Sequence, residues 1–110
     1  MLVKSIMTSE VKSCAPDASL AAAARIMSNR ACGIVPVIDA QHKLLGVITD
    51  RDICMAVAAR IQSPEELPVR DVMTKKVYTC SPDDDARTAL NLMRSHAVRR
   101  VPVVRADGRL

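Results

Sequence analysis

The chain repeats itself at a constant offset of 66 positions, without a gap, from Val69 to Leu110. Ile6-Met7-Thr8 returns as Val72-Met73-Thr74, and Cys14-Ala15-Pro16-Asp17 as Cys80-Ser81-Pro82-Asp83. Val35-Pro36-Val37 returns as Val101-Pro102-Val103, while Met27, Ala31, Ala40 and Leu44 recur as Met93, Ala97, Ala106 and Leu110. A fixed period means one supersecondary unit used twice. Two like units pack most simply about a pseudo-twofold. A ligand cleft is then expected at their junction, where two different surfaces face each other.

With 110 residues, 49% of them hydrophobic, the chain can bury one domain-sized core. That core has no Phe, no Trp and a single Tyr, Tyr78, so Val, Ile, Leu, Met and Ala must build it. The formal charge of +4 suits an anionic small molecule as well as a polyanion. Nucleic acid is the weaker partner, because single-strand readers rely on aromatic platforms that this chain lacks. Cys14, Cys32, Cys54 and Cys80 form no C-x-x-C pair, which argues against zinc. Cys14 and Cys80 hold the same repeat position and read as small buried hydrophobes. Met1-Leu2-Val3-Lys4 lacks a signal-peptide layout and no apolar run approaches membrane-spanning length, so a reducing cytoplasmic setting and no membrane association are expected.

Val11 to Cys14 reads as a short extended piece, and Ala15-Pro16-Asp17 as a turn. Asp17 or Ser19 can cap a helix whose apolar face is Leu20, Ala23, Ala24 and Met27. Gly33 is the expected stop. Ile34 to Ile38 is a β-branched strand, with Pro36 expected at an edge or a bulge. Residues 39–43 form the hairpin loop, with His42 solvated, and Leu44 to Ile48 the returning strand. Thr49-Asp50-Arg51-Asp52 opens a second helix, with Ile53, Val57 and Ile61 four apart. The domain division is 1–62 for the first unit, 63–68 for a stiff, solvated linker and 69–110 for the second unit. The second unit shows the turn at Pro82-Asp83-Asp84, the helix face at Ala86, Ala89, Leu90 and Met93, the strand at Val101 to Val104 and the hairpin at 106–108. His96 falls at the end of that helix. The counterparts of Leu45 to Ile61, a glycine-bearing strand and a helix, are absent from it.

The order strand, helix, strand, strand, helix, the paired Val-Pro-Val segments and Gly46-Val47-Ile48-Thr49-Asp50-Arg51-Asp52 together resemble the CBS domain family. The duplication resembles a tandem CBS pair, or Bateman module. The resemblance implies an α+β fold of two βαββα units about a pseudo-twofold, the second lacking its last strand and helix. It also implies clefts that bind adenosyl compounds such as AMP, ADP, ATP or S-adenosylmethionine, and a regulatory, non-catalytic role toward a partner enzyme or transporter.

Locally, Thr49 and Asp52 can converge on one point, where a hydroxyl and a carboxylate suit a ribose diol. The backbone N–H groups of Asp50 and Arg51, at the helix start, would favour a phosphate. The same residues also read simply as caps that complement the helix dipole. Gly46 would let a backbone or a ligand approach closely. The resemblance implies that Arg99 and Arg100, from the second unit, reach the phosphates. Strand alternation would aim one of them, Arg100, into the cleft. It also implies that adenine lies against Ser13, Cys14, Ala15 and Pro16. The positions matching Arg99 and Arg100 in the first unit are Gly33 and Ile34, so one phosphate-competent site per chain is expected. No nucleophile–base pair or metal cluster stands out in the sequence, and neither a catalytic cofactor nor a metal is expected. The uncovered edge of the second unit invites pairing, so a homodimer is expected, with the second unit the less stable. A ligand-free assembly scaffold is the alternative function. A nucleic-acid binder using Lys75-Lys76 and Arg99-Arg100 is a third.

Overall fold

The computed structural model describes residues 1–59 and 62–110; Ile61, expected on the second helix, lies outside them. The ordered elements are helix α1 (Leu20–Arg30), strands β1 (Ile34–Ile38) and β2 (Leu44–Thr49), helix α2 (Asp50–Ala59) and helix α3 (Ala86–His96). Short 3-10 turns at Val3–Ser5 and Val69–Asp71 open the two copies.

Backbone bonds obey the 66-residue offset. Cys14 N–H donates to Pro36 and Cys80 N–H to Pro102; Ile38 N–H donates to Cys14 and Val104 N–H to Cys80. The pseudo-twofold passes beside Lys43 and Arg109, which are repeat counterparts and pair with each other. On either side of them, Leu44 N–H donates to the Gly108 carbonyl at 3.0 Å and Leu110 N–H to the His42 carbonyl at 3.1 Å. His42 is exposed, and its φ of 64° matches the φ of 85° at Gly108.

Each copy's opening segment docks on the other copy. Val69 N–H donates to Ala18 and Arg70 N–H to Pro16. The counterpart bonds run from Val3 N–H to Asp84 and from Lys4 N–H to Pro82. The segment expected as a solvated linker belongs to this exchange. Leu67 is fully buried in the core of the first copy, its carbonyl accepts from Leu20 N–H, and the Pro64 carbonyl accepts from Ala21 N–H. An apolar side chain flanked by prolines pins the crossing.

Ser19 caps α1 by accepting from Ala22 N–H at 3.0 Å, and Asp85 caps α3 by accepting from Arg87 N–H. Helix α1 stops at Ala31 and α3 at Ala97, both in the left-handed region at φ 50° and 54°, so Gly33 is not the terminator. Gly33 instead offers its carbonyl to Asp50 N–H at 3.0 Å.

Strand β1 pairs antiparallel with β2, Val35 facing Ile48 and Val37 facing Gly46, with a bulge between Val37 and Ile38. Pro36 lies on an edge, as expected, because β1 and β2 form a two-stranded sheet. It faces Val47, whose backbone turns away from β1 to bond Thr74. This is the non-hydrogen-bonded type of pair, so no ladder donor is needed from Pro36 on that side. On its other side the Cys14 segment makes only one bridge.

The two copies differ most in burial. Leu20, Ala23, Met27, Val35 and Val37 are buried, whereas Ala86, Ala89, Met93, Val101 and Val103 are half-buried. Among the described residues α3 buries none, and Val101 to Val104 makes a single bridge, Cys80 to Val103, in place of the expected strand. A strand needs a ladder on at least one side, and the partner that β2 supplies to β1 has no counterpart here. Helix α2 buries Ala56 and packs Ile53 on the core, while Val57, expected on that face, is exposed.

Each fully buried Leu, Ile or Val of the first copy contributes about 1.5–3 kcal/mol, and its counterpart contributes less. Amide exchange is therefore expected to be slower across residues 20–38 than across residues 86–104. Equal protection in the two ranges would contradict the burial difference.

Candidate functional site

Thr49 and Asp52 meet at the start of α2 in a reciprocal capping box. The Asp52 N–H donates to Thr49 Oγ1 at 3.0 Å, and the Thr49 N–H donates to Asp52 Oδ2 at 3.1 Å. The third member was not expected from the sequence. Thr74, from the second copy, directs its hydroxyl at the same carboxylate, 3.1 Å from Oδ2 and 3.3 Å from Oδ1. A hydroxyl, a carboxylate and a second hydroxyl thus converge from both copies. Repetition of Met7-Thr8 as Met73-Thr74 was the available signal, but local spacing says nothing about a residue 22 positions away.

The meeting of the copies depends on Gly46. Val47 and Thr74 exchange backbone hydrogen bonds at 2.9 and 2.8 Å. A Cβ at Gly46 would lie 2.5 Å from the Thr74 carbonyl oxygen, which is backbone and cannot move aside cheaply. The close approach expected at Gly46 is therefore made by the chain itself.

The other expected site residues fall in different places. Asp50 N–H is taken by the Gly33 carbonyl and Arg51 N–H by the Asp50 carboxylate at 2.9 Å, so neither backbone group is free for a phosphate. Cys14 is buried with both backbone groups used against β1, and the Pro16 carbonyl accepts from Arg70. The Ala15 carbonyl accepts from Ala18 N–H. Ser13 is half-buried and Ala15 exposed, and none of residues 13–16 lines either of two cavities of about 220 and 850 Å³.

The smaller cavity, about 220 Å³, lies where the copies meet and is lined by Leu44, Gly46, Lys75, Val77 and Thr79 among others. The larger, about 850 Å³, is lined by Thr8, Lys12, Met93, Arg100 and Val101 among others. Arg99 is exposed. Thr49 and Asp52 line neither cavity, so Arg100 and Asp52 are not brought to a common one.

All four cysteines are free thiols. Burial pushes the Cys14 thiol pKa up; burial and then the Asp84 carboxylate do so for Cys80. No group of three or more His, Cys, Asp or Glu able to hold a metal occurs among the described residues. No described helix is long and apolar enough to cross a membrane.

The duplication agrees with a sequence model of the CBS domain, which matches residues 3–59 and again 69–110. The chain belongs to the CBS domain family. It is 33% identical over 102 residues to the CBS domain-containing protein YhcV of Bacillus subtilis, covering 93% of this chain and 71% of that protein. An uncharacterized 17.7 kDa protein of Acidianus ambivalens is also 33% identical, over 98% of this chain and 64% of its own length. The chain therefore spans roughly two thirds of these relatives. Among solved structures, the CBS domain pair of protein MJ0100, crystallised with 5'-methylthioadenosine and S-adenosyl-L-methionine, superposes with a TM-score of 0.89 at 27% identity. That match covers 100% of this chain and 85% of the other.

Two outcomes follow from this geometry. Thr49→Ala removes one capping bond and is expected to cost about 1 kcal/mol in urea unfolding. Asp52→Ala, which also breaks the Thr74 link, costs more, and an equal cost would show that the link between copies contributes nothing. At pH 8 the exposed Cys54 is expected to alkylate at least tenfold faster than Cys14 or Cys80. Their raised pKa values and burial leave them little accessible thiolate.

Proposed function

We propose that this CBS pair is a sensor of an adenosyl compound, bound where the Thr49–Asp52 box of the first copy meets Thr74 of the second. The observation that carries the proposal is the shared carboxylate. Asp52 accepts a hydroxyl from the other copy at 3.1 Å, which is the bond a ribose hydroxyl would make in its place. Crystallisation of the MJ0100 pair with two adenosyl ligands supports that class.

Displacing the Thr74 hydroxyl from Asp52 would loosen a link between copies and add contacts that span them. Binding energy would then bias the angle between copies, the change a regulated enzyme or transporter could read. The nucleoside is the part of the ligand that the box fits. A phosphate would depend on Arg99 and Arg100. Arg100 lines the larger cavity instead, so methylthioadenosine and S-adenosylmethionine suit the site better than ATP.

The exposed Met55 and Val57 on α2 and Leu90 on α3, 61%, 44% and 46% accessible, support self-association through the helices into a homodimer. Four free thiols suit a reducing, cytoplasmic setting.

Thermal denaturation with methylthioadenosine, S-adenosylmethionine, AMP and ATP tests the proposal. A ligand at a hundredfold its dissociation constant adds about 2.7 kcal/mol to stability. Stabilisation by the first two that disappears in Asp52→Asn is the expected result. No stabilisation by any of the four would leave an assembly scaffold as the better account.

A further inference from the structure

The pseudo-twofold carries two cations side by side. Lys43 and Arg109 are repeat counterparts, so a charge at this position meets its own sign across the copies. Leu44 N–H donates to Gly108 and Leu110 N–H to His42, one bond on either side of the pair. That pattern makes Lys43 and Arg109 a non-hydrogen-bonded antiparallel pair, the type whose Cα atoms stand about 4.5 Å apart and whose side chains are closest. Both residues are exposed, and like charges directly opposite one another repel. Neither enters an ion pair among the described residues, where the cation–carboxylate contacts are Lys4–Asp83 and Arg25–Glu65.

The carboxylates of the two hairpins are engaged with their own turns. Asp39 Oδ1 accepts from the N–H groups of Gln41 and Lys43 at 2.9 Å, and Asp107 Oδ1 from Arg109 N–H at 3.1 Å. A third cation adjoins the pair, since the N–H of the exposed Arg105 donates to the Arg109 carbonyl at 2.8 Å. The matching position in the first copy is Asp39, so the excess of positive charge lies toward the second copy.

We propose that Lys43 and Arg109 hold a phosphate group on the pseudo-twofold, as a clip between the copies. A phosphate carries about −1.5 to −2 charges at pH 7, which matches two cations, whereas a single carboxylate leaves one of them unmatched. The Arg109 guanidinium can engage two phosphate oxygens as a fork, and the Lys43 ammonium a third as a point charge. Binding removes the repulsion across the pair and adds an attraction that spans the copies, at the place where Leu44 already bonds Gly108. Because both side chains are exposed, the clip weakens with salt and suits an abundant anion. It uses neither Thr49 nor Asp52 and does not rest on the adenosyl reading.

Amide NMR titration of the labelled full chain with inorganic phosphate, at an ionic strength held constant with sodium chloride, tests the clip. Saturable shifts at Lys43, Leu44 and Arg109 are expected, with a dissociation constant at least tenfold weaker in the double variant Lys43→Gln, Arg109→Gln. A parallel arm titrates the Asp52→Asn chain with AMP. Shifts of the same amides in that arm show that the clip also takes the phosphate of a nucleotide. A response to inorganic phosphate without one to AMP assigns the clip to free phosphate. No saturable shift with inorganic phosphate, or equal affinity in the double variant, overturns the proposal.

Discussion

Everything in this molecule hangs on one backbone crossing. Val47 of the first copy and Thr74 of the second exchange two hydrogen bonds, and only a glycine at position 46 lets them come together. The crossing turns Val47 away from β1, so the Pro36–Val47 pair asks no ladder donor of the proline. It also carries the Thr74 hydroxyl onto Asp52. One small residue therefore fixes a sheet, a proline and a polar cluster together. The reciprocal docking of residues 67–70 and 1–4 onto the opposite copy holds the same arrangement from the other side. Each opening segment thereby ties its own copy to the other through backbone hydrogen bonds.

Much of this was legible because duplication doubles the evidence. A pattern such as Val-Pro-Val is weak once and informative twice, and the 66-residue offset predicted the pseudo-twofold that Lys43 and Arg109 now mark. The Thr49–Asp52 pair was legible because its interaction is local, three residues apart on one helix start. What was not legible is non-local. The linker looked solvated from Pro64, Glu65 and Glu66, yet one residue, Leu67, anchors it in the core. The helix stop fell on Ala31 and Ala97, because a Schellman-like ending depends on carbonyl partners more than on composition. The Val101–Val104 strand carried the right residues and lacked a neighbour, and β-propensity is realised only against a partner.

The asymmetry between copies is the second organising fact. The same sequence positions are buried in one half and half-open in the other, although their backbone hydrogen bonds recur at the 66-residue offset. Local structure is thus fixed by the repeat, while packing is fixed by what covers it. The polar clusters follow the same rule. Thr74 meets the Asp52 carboxylate, and Thr8, its counterpart, lines the larger cavity, as does Arg100.

The most direct measurement is an amide NMR titration of the labelled chain with methylthioadenosine. Linked shifts at Thr49, Asp52 and Thr74, saturating together with a single dissociation constant, are the predicted result. Movement at Thr49 and Asp52 that leaves Thr74 untouched, or saturable shifts confined to residues remote from all three, would contradict a ligand site shared between the copies.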